Sequence, residues 1–77
     1  MTEVEWLREF GDNLYYMMCK ARISQRELAQ RTGLNVSTIN RYVTKQMVPS
    51  SIAIVNISYA LNCDVGELID FGRRVSL

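Results

Sequence analysis

Apolar positions recur along this chain at helical spacing and nowhere at the alternate spacing of a strand. Leu7, Phe10, Leu14 and Met17 stand three, four and three residues apart, which is one face of an α-helix. The stretch from about Glu3 to Ala21 is therefore predicted to be the first helix. Acids at its start and Lys20 and Arg22 near its end suit the helix dipole. Trp6, Tyr15 and Tyr16 fall off the apolar stripe and are expected to point outward. Ser24-Gln25-Arg26-Glu27 reads as a capping box, the Ser24 hydroxyl taking the N–H of Glu27 and the Glu27 carboxylate reaching back to the N–H of Ser24. Leu28 and Ala29 then face inward, and Gly33 ends this second helix in the left-handed conformation. Asn35 is a good N-cap for a third helix from about Val36 to Val43. Its buried side is Ile39 with Tyr42 and Val43, and its other side carries Val36, Ser37, Asn40 and Arg41. Pro49-Ser50 opens a fourth helix capped by Ser50, with Ile54, Ile57, Ser58 and Leu61 as its core stripe. Asn62 closes it. Asp64-Val65-Gly66-Glu67 resembles a second capping box and starts a short fifth helix with Leu68 inward, while Phe71–Leu77 has no clear pattern. The expected fold is all-α, a compact bundle of five short helices forming one domain over residues 1–77, with its core between about 7 and 71.

Composition narrows what such a bundle does. A chain of 77 residues buries only about 60% of its unfolded surface, enough for one modest core and not for a deep catalytic cleft. Hydrophobic residues at 48% and charged residues at 22% mark a globular chain. There is no histidine, which removes the commonest general base and the commonest zinc ligand. The chain is accordingly expected to be no enzyme and to hold neither metal nor cofactor. The two cysteines, Cys19 and Cys63, form no CxxC. They suit a reduced intracellular chain and are expected to be small buried hydrophobes, a redox switch being the alternative. No apolar run reaches the length of a membrane span. The start, MTEVEWLREF, is acidic and amphipathic and does not read as a signal peptide. A cytoplasmic protein is expected.

Net charge is only +1, but its distribution is uneven. Residues 1–19 carry −3, residues 20–45 carry +5 and residues 46–77 carry −1. A basic middle third between acidic flanks points to a polyanionic partner for that segment. Within it lie two short helices joined by a tight turn that contains glycine, the signal of a helix-turn-helix.

At this point the chain resembles a known family. The run from Ser24 to Tyr42, SQRELAQRTGLNVSTINRY, is similar to the helix-turn-helix of Cro and lambda-repressor-type (XRE) transcriptional regulators. The motif occupies about 24–43, and the likeness extends upstream through Phe10, Leu14 and Ile23 and downstream through Pro49-Ser50 to Leu68. Its strongest elements are Ser-Gln-x-x-Leu-Ala, the turn glycine, Ser-Thr-Ile, Pro-Ser and the closing Glu-Leu. The resemblance implies a sequence-specific DNA-binding regulator of bacterial or phage origin, expected to be a repressor that acts by occupying its operator. It places base-reading positions at Val36, Ser37 and Arg41, with Asn35 and Asn40 beside them. Arg41 is suited to guanine, Asn40 or Asn35 to adenine, and the Val36 methyls to a thymine methyl. Gln25 matches a phosphate contact at the start of the second helix, and Thr44, Lys45 and Gln46 are expected to add further phosphate contacts. Arg31 is expected to be a solvated side chain, and Glu27 and Glu67 to be caps.

Two departures from the family pattern stand out. The usual Glu-x-Gly after the recognition helix is Val43-Thr44-Lys45 here, and the usual arginine late in the first helix is Met18. An apolar Met18–Val43 contact is expected in place of an ion pair, a swap that is often neutral or stabilising.

Leftover apolar residues, Ile52 and Tyr59 foremost, suggest an interface. Regulators of this type usually dimerise on two-fold operators, often through their last helices. A homodimer using Tyr59, Val65, Ile69 and Phe71 is therefore expected on double-stranded DNA, in a chain the size of a Cro protein or of a repressor's DNA-binding part. Two alternatives stay open. One is an antitoxin-type regulator that binds both DNA and a toxin. The other is a protein-interaction module that has kept the fold without DNA binding, which the low net charge and the acidic first helix favour.

Overall fold

The computed structural model describes residues 1–71. Five helices follow one another, with no strand among the described residues: α1 (Glu3–Ala21), α2 (Gln25–Thr32), α3 (Val36–Val43), α4 (Ser51–Ala60) and α5 (Val65–Ile69). α1 packs on α3 and α5, α2 on α3 and α4, and α4 on α5.

Each boundary has a local cause. α1 starts in a capping box that the sequence reading did not single out: Thr2 Oγ1 accepts from Glu5 N at 3.1 Å, and the Glu5 carboxylate accepts from Thr2 N at 3.0 Å. The bonds to Thr2 hold the Glu5 carboxyl below its ordinary value. α1 ends at Arg22 in the left-handed region, with φ 57°. Ser24 caps α2 by accepting from Glu27 N at 3.1 Å. The expected return arm of that box is not made. Glu27 instead pairs with Arg31 one turn on, at 2.6 Å, and Arg31 also donates to the Ala60 carbonyl at 3.2 Å. Arg31 is thus a tie between α2 and the end of α4 rather than a merely solvated side chain. The reason is spacing: an acid and a base at i and i+4 meet on one helix face. Ser50 caps α4 through Ala53 N at 3.1 Å, and Glu67 accepts from Asp64 N at 2.9 Å at the start of α5.

Six side chains are fully enclosed: Phe10 and Leu14 from α1, Leu28 from α2, Ile39 from α3, Ile57 from α4 and Leu68 from α5. Every helix thus contributes to one core, and each such side chain stabilises the fold by about 1.5–3 kcal/mol. Ala29, also buried, is small enough to let α2 cross closely. Met18 is buried and Val43 half-buried on the same core.

Several expected positions are corrected. Leu7 and Ile54 are half-buried, and Ala53 takes the inner place on α4. Trp6 does not point away. It stacks on Phe10 with ring centres 5.2 Å apart and meets the edge of Phe71 at 5.5 Å, because residues four apart share a helix face. Cys19 is exposed rather than buried. It follows buried Met18 and so stands about 100° further round the helix. Cys63 is half-buried, and burial together with the nearby carboxylates of Glu67 and Asp64 pushes its thiol up.

One buried polar group closes the bundle. Asn13 Nδ2 donates to the Leu68 carbonyl at 2.9 Å, joining α1 to α5 across 55 residues of chain. Among the described residues no helix is long and apolar enough to cross a membrane.

Candidate nucleic-acid interface

The turn between α2 and α3 is built from Thr32, Gly33 and Leu34. Gly33 has φ 78°, a conformation that disfavours a side chain. The Thr32 hydroxyl donates to the Leu28 carbonyl at 2.8 Å and accepts from Leu34 N at 3.2 Å. The turn's polar groups are therefore satisfied locally, and half-buried Leu34 packs at the core's edge.

α3 is divided cleanly between core and solvent. Ile39 and Tyr42 are buried, and the Tyr42 ring meets Phe10 edge-on at 6.2 Å. Burial pushes the Tyr42 hydroxyl up. On the other side Asn35, Val36, Ser37, Asn40 and Arg41 are all exposed. Asn35 occupies the N-cap position, but its side chain makes no capping bond, so its amide is not spent on the helix. No carboxylate of the described residues pairs with Arg41.

The α2 end of the motif is bonded to this face. Asn40 Nδ2 donates to Gln25 Oε1 at 3.3 Å. The Thr44 hydroxyl donates to the Asn40 carbonyl at 2.7 Å, and the Gln46 amide donates to Thr44 Oγ1 at 2.8 Å. Gln25, Asn40, Thr44 and Gln46 thus form one connected run of polar groups along the edge of α3. Gln25 lies in the first turn of α2, where unpaired backbone N–H groups favour an anion.

A family model for the Cro/C1-type HTH DNA-binding domain matches residues 13–72. The chain belongs to the Cro/C1-type family. None of the curated proteins compared with it matches. The matched span contains the whole helix-turn-helix, the exposed face of α3 and the polar run beside it, so this Cro/C1-type chain is a DNA-binding regulator built on an all-helical fold.

The remaining sequence-based expectations divide. Lys45 is not aligned with the polar run. It has φ 67°, and its ammonium lies 2.8 Å from Asp12 Oδ1 on α1. Neither Asp12 nor Gly11, over which the Lys45 stem runs, was singled out from the sequence. The available signal was a glycine in mid-helix, which is unfavourable by about 1 kcal/mol unless packing requires it. Packing does require it, because a Cβ at Gly11 would stand 2.8 Å from Lys45 Cγ and 3.0 Å from the Tyr42 carbonyl oxygen. Of the expected interface residues, Tyr59 is 80% exposed and Ile69 39%. Val65 is half-buried, and half-buried Phe71 is engaged with Trp6. Tyr59 continues an exposed apolar stripe with Ile52 and Val55 along α4, a helix that carries no charged residue.

Proposed function

We propose that the chain is a sequence-specific transcriptional repressor that binds its operator as a homodimer and acts by occupancy. The observation that carries this reading is the division of α3: an exposed face of Asn35, Val36, Ser37, Asn40 and Arg41 on a helix pinned from behind by Ile39 and Tyr42. A helix so held enters a major groove without repacking. Arg41 reads guanine with two donors, Asn35 takes adenine, and Val36 meets a thymine methyl. Gln25, Thr44 and Gln46 contact phosphates and set the register, and supply no base choice themselves. The dimer uses Tyr59 and Ile69, the two interface residues that stand free of the core.

The test is selection of sites from a randomised DNA pool by the purified protein at near-physiological salt. The reading expects a pseudo-palindromic consensus with half-sites about one helical turn apart. An empty or unaligned pool counts against it. A second reading, contact with another protein in addition to DNA as in an antitoxin-type regulator, is favoured by the exposed apolar stripe Ile52, Val55 and Tyr59. Sedimentation at micromolar concentration separates the two: a dimer, with or without DNA, supports self-association, and a monomer under both conditions leaves the stripe for a different partner.

A further inference from the structure

We infer that Asp12 and Lys45 form a latch that fixes the exit of the recognition helix against α1, and that Lys45 is a positioning residue rather than a phosphate contact. Three observations converge on Lys45. Its backbone stands at φ 67°, the left-handed cap conformation that Arg22 and Asn62 also take at the ends of their helices, and the chain thereby turns back towards α1. The methylene stem crosses α1 at Gly11, where a single added carbon would come within 2.8 Å of Lys45 Cγ. Its ammonium then reaches Asp12 Oδ1 at 2.8 Å. The length of the side chain is thereby used up along α1. Neighbouring Thr44 and Gln46 turn instead to the polar run headed by Asn40.

What the latch holds is the end of α3. Lys45 N donates to the Tyr42 carbonyl at 3.2 Å and Gln46 N to the Arg41 carbonyl at 2.8 Å. The residue that anchors the exit is therefore bonded to the same turn that bears Arg41. Any rotation of that turn swings the long Arg41 side chain across the groove. Asp12, on a helix that presents no residue to the DNA in this reading, would thus help to decide how well Arg41 meets its base. Arg41 is left as the cation of α3 and its exit that has no carboxylate partner among the described residues.

The inference rests on the DNA-binding reading, and one experiment keeps the two apart. Asp12→Asn, Lys45→Met and the double variant are prepared with the charge-swapped pair Asp12→Lys/Lys45→Asp. Lys45→Met keeps most of the stem over Gly11. Amide hydrogen exchange is first followed without DNA. Both single variants are expected to speed exchange at Lys45 and Gln46 by about two- to five-fold, the double variant by no more than either, and the swapped pair to restore protection. Affinity is then titrated against salt, on a site selected by the parent protein and on random DNA. Both single variants should lose affinity for the selected site by a similar factor and bind random DNA as the parent does, with an unchanged slope of log affinity against log salt. Unchanged exchange in both single variants overturns the latch. So does a slope reduced by about 0.9 in Lys45→Met together with tighter binding by Asp12→Asn, since that pattern belongs to a phosphate contact held back by an acid. A parent chain that binds no DNA removes the functional reading alone, and the exchange rates still decide the latch.

Discussion

Arg41 and Gln25 lie on one surface and are expected to fail in different ways when truncated. Arg41 is exposed in the last turn of α3 and pairs with no carboxylate among the described residues. Arg41→Ala is predicted to lower affinity for the selected site by about 1–3 kcal/mol and to relax the preference at one base pair. Equal loss on selected and random DNA in a competition titration would contradict that role. Gln25→Ala should weaken both DNAs alike, because a phosphate is present in every sequence. The cysteines differ as well. Cys19 is exposed, whereas the Cys63 thiol is half-buried and pushed up by its burial and by Glu67 and Asp64. Since the thiolate is the reactive form, alkylation at neutral pH followed by peptide mapping should find Cys19 modified first. At this scale the sequence was a good guide to which residues face outward on α3, because period 3.6 fixes that directly. It was a poor guide to pairings. The bond from Asn40 to Gln25 spans 15 residues and that from Lys45 to Asp12 joins the turn after α3 to the distant α1, and no local pattern announces either.

At the scale of elements, two glycines make opposite demands. Gly33 needs its backbone angle but has nothing within 4 Å of an added Cβ, so Gly33→Ala should cost about 1–2 kcal/mol through conformation alone. Gly11 has ordinary helical geometry but no room. The Lys45 stem can move aside for a methyl group, whereas the Tyr42 carbonyl is backbone. Gly11→Ala is therefore predicted to spread α1 from α3 and to cost about 1–3 kcal/mol, with a loss of DNA affinity that Gly33→Ala does not match. Asn13→Leu removes the donor to the Leu68 carbonyl and should destabilise by about 1–3 kcal/mol, read from the denaturant midpoint at unchanged slope. The helices and most of their caps were legible because Ser24, Gly33 and Ser50 act within one turn of themselves. Trp6 was misassigned because a four-residue stripe beginning at Leu7 concealed the i, i+4 pair of Trp6 with Phe10. Asn13 was invisible because its partner enters only with the last helix.

For the whole molecule, the separation of charge matters more than the net value of +1. Bases concentrate from Lys20 to Lys45, whereas α4 has no ionisable side chain apart from Tyr59 at its outer edge. The two associations proposed for this protein therefore draw on different physics. Grip on DNA depends on counterion release and weakens steeply with salt. Contact through Tyr59 and its apolar neighbours depends on removing hydrocarbon from water, which excluded salts such as sulfate strengthen. The uncharged outer stripe of α4 has a practical consequence for anyone handling the protein. A sulfate gradient over immobilised DNA should release it as an intact pair of chains, and light scattering on the eluted peak would show twice the mass of the single chain.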